Sequence, residues 1–167
     1  MHDDRDRTEA RLRRFVRDRL TPAIHRDAHP LSIAAWSAPG EPVPFAEAIG
    51  QPYTPVSVGW RWGRAWSTTW FRVTGEVPAA WRDGPPPGTR LEILVDFGYN
   101  RSRSGFQAEG LAYRPDGSII KAIAPLNSFV PWHPANDGAH IDVLIEAAAN
   151  PDVAGEYTFE PTRYGTW

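Results

Sequence analysis

Trp60-Arg61-Trp62-Gly63-Arg64-Ala65-Trp66-Ser67-Thr68-Thr69-Trp70-Phe71-Arg72-Val73 holds four of the eight tryptophans of this 167-residue chain. From Trp66 to Val73 it contains β-branched and aromatic residues and neither Gly nor Pro, which predicts a strand. Its alternate side chains fall into two sets: Trp66, Thr68, Trp70 and Arg72 on one face, Ser67, Thr69, Phe71 and Val73 on the other. Both faces carry bulk. Aromatic side chains bury large areas when they pack, so one face belongs in a sandwich core and the other under a covering loop, a partner or a ligand. Phe71, in mid-strand beside Val73, is expected in the core. Trp62 precedes the regular strand next to Gly63 and is expected to cap an edge or face a partner. Two readings of the tryptophans stand side by side: all core and lid, or a stacking platform for sugar.

Outward from this stretch, alternation recurs. Leu31–Trp36 predicts a short strand, and Phe45–Ile49 a helical turn after the prolines at 39, 42 and 44. Leu91, Ile93, Val95 and Phe97 alternate with Glu92, Leu94 and Asp96. Phe106–Tyr113 and Ser118–Ile123 flank Arg114-Pro115-Asp116-Gly117, a hairpin signature with Pro at the second turn position and Gly free to take a left-handed angle. Asn136-Asp137-Gly138 predicts another turn. After it Ile141, Val143, Ile145 and Ala147 point one way, and His140, Asp142, Leu144 and Glu146 the other. In front, Leu12, Phe15, Val16 and Leu20 recur at helical spacing among charged residues, acids early and arginines late, which suits the helix dipole. Thr21-Pro22 is expected to stop that helix. The domain reading is a helical arm over 1–28, a β-sandwich over 29–153 and a C-terminal tail or linker over 154–167. Seven or eight short strands punctuated by 17 prolines and 14 glycines make the fold class all-β, a jelly-roll β-sandwich preceded by an N-terminal α-helix.

Composition narrows the function. A net charge of −2, with no basic stripe interleaved with aromatics outside the arm, excludes a nucleic-acid surface of the usual kind. No cysteine means no disulfide, thiolate nucleophile or Cys-bound zinc, and suits a reducing compartment. No apolar run of membrane-spanning length and no signal-peptide core occur, so the expected setting is the cytoplasm, without a membrane partner.

Chemistry-bearing motifs are sparse. There is no G-x-S-x-G and no G-x-x-x-x-G-K. His140-Ile141-Asp142 has the H-x-D spacing of metal hydrolases, but a zinc site needs three protein ligands, and the alternation through Ile145 explains both residues as solvent-side strand positions. Asp96, Glu109 and Glu146 are the candidate acids. Asp96 and Glu146 fall on predicted solvent faces, where a cross-strand charge pair accounts for them without catalysis.

Several strings together resemble a known family. Gly40-Glu41-Pro42-Val43-Pro44-Phe45-Ala46-Glu47-Ala48, Pro52-Tyr53, the Trp60–Arg72 run, Leu94-Val95-Asp96-Phe97-Gly98, Gly105-Phe106-Gln107-Ala108-Glu109-Gly110 and Glu146-Ala147-Ala148-Ala149-Asn150-Pro151 are similar, in that order, to the N-terminal region of cytosolic-type α-mannosidases of glycoside hydrolase family 38. The resemblance implies a galactose-binding-like β-sandwich standing before a zinc-dependent retaining catalytic domain. The zinc ligands and nucleophile belong to that later domain and none is transferred here, so no metal, cofactor or catalytic residue is expected in this chain, which reads as a fragment or truncated protein. The expected role is that of a non-catalytic accessory domain whose partners are the parent enzyme's catalytic domain and a second copy in a homo-oligomer. The alternative is an autonomous carbohydrate-binding module in which Trp60, Trp62, Trp66 or Tyr99 stacks on a glycan while Asn100, Arg101 or Arg103 hydrogen-bonds hydroxyls. All of these except Arg103 are also the candidates for interdomain contact.

Overall fold

A computed structural model describes residues 4–83, 85, 87–100 and 107–151. The chain divides into two compact units, Met1–Pro30 and Leu31–Trp167. In the first, α1 (Arg5–Phe15) runs into a π-helical turn at Val16–Leu20 and then α2 (Thr21–Ile24). Glu9 steadies α1 by accepting from Arg5 and Arg13, each at 2.8 Å and four residues away. Those two guanidiniums, Arg5 first, hold its carboxyl below the ordinary value. Thr21-Pro22 does not stop the helix. The wider π turn brings the Thr21 N–H to the Val16 carbonyl, and Pro22 follows at the second position of α2. Leu12, Phe15, Val16, Leu20 and Ile24 are all exposed.

The second unit is built from two antiparallel sheets. Six strands lie in the order β2-β1-β3-β8-β5-β6, with β1 Ser32–Ser37, β2 Thr54–Val56, β3 Thr68–Glu76, β5 Glu109–Tyr113, β6 Ile119–Ile123 and β8 His140–Ala148. β4 (Leu91–Leu94) and β7 (Phe129–Trp132) form the smaller sheet. Short helical turns α3 (Phe45–Ala48), α4 (Ala79–Arg82) and α5 (Pro134–Asp137) punctuate the connections. β3 and β8 pair along nine residues each, from Thr68↔Ala148 to Glu76↔His140, and form the spine of the large sheet. The β5–β6 hairpin closes as its residues dictate: Gly117 sits at φ +87°, and the Asp116 carboxylate accepts the Ser118 N–H at 2.8 Å.

The two faces of β3 bury against different things. Phe71 and Val73 join Ile93, Val130 and Trp132 of the small sheet, and Ile141, Val143 and Ile145 of β8, in the main core between the sheets. Trp70 points the other way and is fully buried with Ala48 and Leu144 beneath Val43, Phe45, Ile49 and Tyr53. Phe45 meets its ring edge-on at 6.2 Å. The Pro-rich segment before β2 is therefore the covering loop that the tryptophan strand requires on its second face.

Two expectations are corrected, and two strands were not foreseen. The strand starts at Thr68, not Trp66, because Trp66 lies in a turn with φ +65°. β4 ends at Leu94, so Asp96 is not on a strand face; its Oδ1 accepts the backbone N–H groups of Gly98 (2.8 Å) and Tyr99 (3.0 Å) in a local turn. β2 and β7 were invisible to alternation because each contains a proline, Pro55 and Pro131. Both are tolerated because β2 is the edge of its sheet and β7 belongs to a two-stranded one.

Candidate functional site

The stretch Trp60–Ser67 is a folded turn whose aromatic side chains diverge. The Trp60 N–H bonds the Ser57 carbonyl at 3.0 Å, and its indole sets its edge against Phe71, centroids 6.3 Å apart, while 42% of the residue stays exposed. Gly63 takes φ +69°, and a Cβ there would fall 2.6 Å from the Ala149 Cβ, so only glycine fits this approach to the end of β8. The Ser67 hydroxyl closes the turn, accepting the Arg64 N–H at 2.8 Å and donating to the Arg64 carbonyl at 2.6 Å. The Trp66 N–H is then fixed to the Ala149 carbonyl at 2.9 Å. Trp66 is the one described non-glycine residue at positive φ, and it is 64% exposed. A bulky residue in the left-handed region is strained by about 1–3 kcal/mol, and such strain concentrates where a surface is held for use.

Two candidate stacking residues are corrected outright. Trp62 is only 6% exposed; its ring meets Phe71 edge-on at 5.4 Å and Phe97 at 5.2 Å, and its Nε1–H donates to the Phe97 carbonyl at 3.3 Å. Tyr99 is equally buried, edge-on to Phe97 at 5.8 Å. Neither face is open to a sugar ring. Asn100 is half-buried: its N–H donates to the Gln107 side chain at 2.6 Å and its carbonyl accepts from the same amide at 3.0 Å. Arg101 and Arg103 lie outside the described residues. Of the proposed set, Trp60 and Trp66 alone present their rings outward.

Beside Trp60 is an open groove of about 700 Å³ that sequence reasoning missed. It is lined by Ala35, Ser37, Thr54, Ser57 and Trp60, among others. No motif announces it, since its lining is assembled from two paired strands and the residues flanking β2, Pro52 and Ser57, none of which stands out in the sequence.

Glu109 is exposed at the start of β5, whereas Glu146 and the H-x-D motif sit in structural contacts. Glu146 accepts from the Tyr113 hydroxyl at 3.0 Å; burial first, and that bond second, push the Tyr113 phenol up to about 12. Asp142 takes a two-pronged bond from Arg72, at 3.0 and 2.7 Å, which with its charge raises the Arg72 guanidinium above its ordinary range. His140 pairs on the surface with Glu76 at 2.9 Å. Among the described residues no three His, Asp or Glu side chains form a group able to hold a metal ion, and His140 and Asp142 are each engaged with a β3 residue, Glu76 and Arg72. His140→Ala is accordingly expected to change the unfolding free energy by no more than about 0.5 kcal/mol in a urea titration, as for an exposed pair.

Two packed antiparallel sheets with a loop-covered outer face define a jelly-roll module with an aromatic turn at one edge. A family model described as "Alpha-mannosidase, jelly roll domain" matches residues 29–165, and the chain belongs to that family. Over 52 residues, 31% of this chain, it is 35% identical to alpha-mannosidase 2C1 of Homo sapiens; the match spans 5% of that protein's length.

Proposed function

We propose that this chain serves as a non-catalytic module of an α-mannosidase of glycoside hydrolase family 38, packing on the enzyme's catalytic domain and, through its helical arm, on a neighbouring subunit. The observation that carries this reading is the aromatic turn: Trp66 is fixed to Ala149, just after β8, in a costly backbone conformation and is 64% exposed. Apolar side chains held out in this way suit a surface covered by another domain. The arm adds a second such surface in Leu12, Phe15, Val16, Leu20 and Ile24. Zinc belongs to the catalytic domain in this reading, and the chain supplies no ligand to it. No helix among the described residues is long and apolar enough to cross a membrane, and a cysteine-free chain suits a cytoplasmic enzyme.

The test is reconstitution in two pieces. Residues 29–167 mixed with the separately produced remainder of the parent enzyme should sediment as a 1:1 complex. Trp66→Ser should weaken that complex at least about tenfold, a loss of roughly 1.4 kcal/mol. Association that is absent, or indifferent to Trp66, overturns the packing role. The isolated chain should release no phenol from an aryl α-mannoside, with or without added zinc; turnover that copurifies with the polypeptide overturns the non-catalytic assignment. Deleting residues 1–28 should abolish self-association of the isolated chain while its circular dichroism keeps the sandwich signature, and unchanged self-association would remove the arm from the subunit contact.

A further inference from the structure

Strand register defines the groove beside Trp60. Ala35 lies opposite Phe71 on one side and Thr54 on the other, and Ile33 lies opposite Val73 and Val56, so these side chains share the face of the large sheet that carries the main core. Ser37, two residues beyond Ala35, stays on that face, its hydroxyl 3.2 Å from that of Thr69. β2 begins at Thr54, opposite Ala35, so β1 runs on past its neighbour to Trp36 and Ser37. At this end the sheet thus offers the small side chains of Ala35, Ser37 and Thr54, and Trp36, Pro52, Pro55 and Val56 add apolar surface to the lining. Trp60 and Ser57 stand beside it and leave about 700 Å³ open.

The chemistry of this lining is specific. No lining residue is charged, which disfavours phosphate, carboxylate or ammonium ligands. Ser37, Thr54 and Ser57 supply three hydroxyls, each able to donate and accept, and therefore suited to a ligand whose own groups are hydroxyls. Trp60 supplies a half-exposed aromatic surface steadied by its near-perpendicular contact with Phe71, so little ordering is required when a ring lies on it. A molecule with an apolar C–H face and a hydroxylated rim, and no charge, satisfies all three features. We infer that the groove between β1, β2 and Trp60 is a binding site for a neutral pyranoside, with the sugar face on Trp60 and its hydroxyls toward Ser37, Thr54 and Ser57. This site is independent of the interdomain surface at Trp66, and either can fail without the other.

Titrating the full 167-residue chain with methyl pyranosides of mannose, glucose and galactose, followed by ¹H–¹⁵N correlation spectra, tests it. Saturable shifts are expected at the Trp60 indole N–H and the backbone amides of Ser37, Thr54 and Ser57, for at least one of the three. Trp60→Ala should weaken that binding about tenfold or more. Thr54→Val, which keeps the shape of an exposed edge-strand residue and removes one hydroxyl, should weaken it severalfold with the spectrum otherwise unchanged, and so guards against a folding defect in the first variant. Three results overturn the assignment: no saturable shift with any pyranoside, shifts centred on Trp66 instead of the groove, or binding indifferent to both substitutions. A response to an uncharged extended peptide but to none of the sugars would likewise overturn it and make the open edge of β1 a peptide-docking strand.

Discussion

Trp62→Ala and Phe71→Ala should each lower the unfolding free energy by about 3–5 kcal/mol, the usual cost of emptying a buried aromatic site. Their rings meet edge-on at 5.4 Å, and both touch Phe97, Trp62 at 5.2 Å and Phe71 at 6.0 Å. Removing either leaves the other two facing a cavity in the middle of the main core. Trp62 adds a buried bond from its Nε1–H to the Phe97 carbonyl, so its loss also strands an acceptor. Because the two rings share a partner and touch each other, the double variant should cost less than the sum of the single ones, by roughly 0.5–3 kcal/mol. Urea denaturation monitored by far-UV circular dichroism reads all three. A Trp62→Ala protein that unfolds with the parent would move this tryptophan out of the core and reopen it as a surface residue.

That prediction reverses what the local sequence suggests, and the reason is physical. Strand alternation can be read forward from Thr68 because one residue predicts the next through the pleat. Trp62 reaches the core by a different route: Gly63 at φ +69° folds the chain back on Ala149, which swings the preceding side chain inward. Nothing in Trp-Gly-Arg announces that rotation. Tyr99 escaped for the same reason, since the Asp96 carboxylate turns the chain by bonding the amides of Gly98 and Tyr99, and a turned backbone no longer obeys period two. The opposite error fell on Trp66, which continues the alternating pattern on paper yet sits in a left-handed turn with its indole outward. What was legible is what propagates regularly: the long strands β3 and β8, the Asp116-Gly117 hairpin, the amphipathic arm and the split of β3 into two buried faces. The proline-bearing strands β2 and β7 were not, because proline argues against a strand unless its edge position is already known. The groove was least legible of all, since it depends on Ala35 and Thr54 being opposite each other, a register that only the folded sheet specifies.

Trp70→Ala should cost a similar 3–5 kcal/mol, but with a local signature that Phe71→Ala lacks. Trp70 is wholly buried on the outer face of the large sheet, where Phe45 meets it edge-on at 6.2 Å and Tyr113 lies 5.5 Å away. Ala48, Ile49 and Tyr53 complete the cover, so the segment around α3 has this indole as its principal anchor. Truncation should release residues 43–53 well before the sheets separate. Backbone amides in that segment, Ala48 and Ile49 among them, should then exchange with solvent much faster than those of β3 and β8, and a protease should cut there first. Trp70→Phe should be far milder. The Trp70 indole N–H is buried and meets no acceptor among the described residues, so replacing it with a smaller hydrocarbon ring removes an unsatisfied donor while keeping the Phe45 and Tyr113 contacts. Hydrogen exchange that accelerates uniformly across both faces in Trp70→Ala would show that the cover and the core unfold as one unit, and that the loop is not an independently anchored lid.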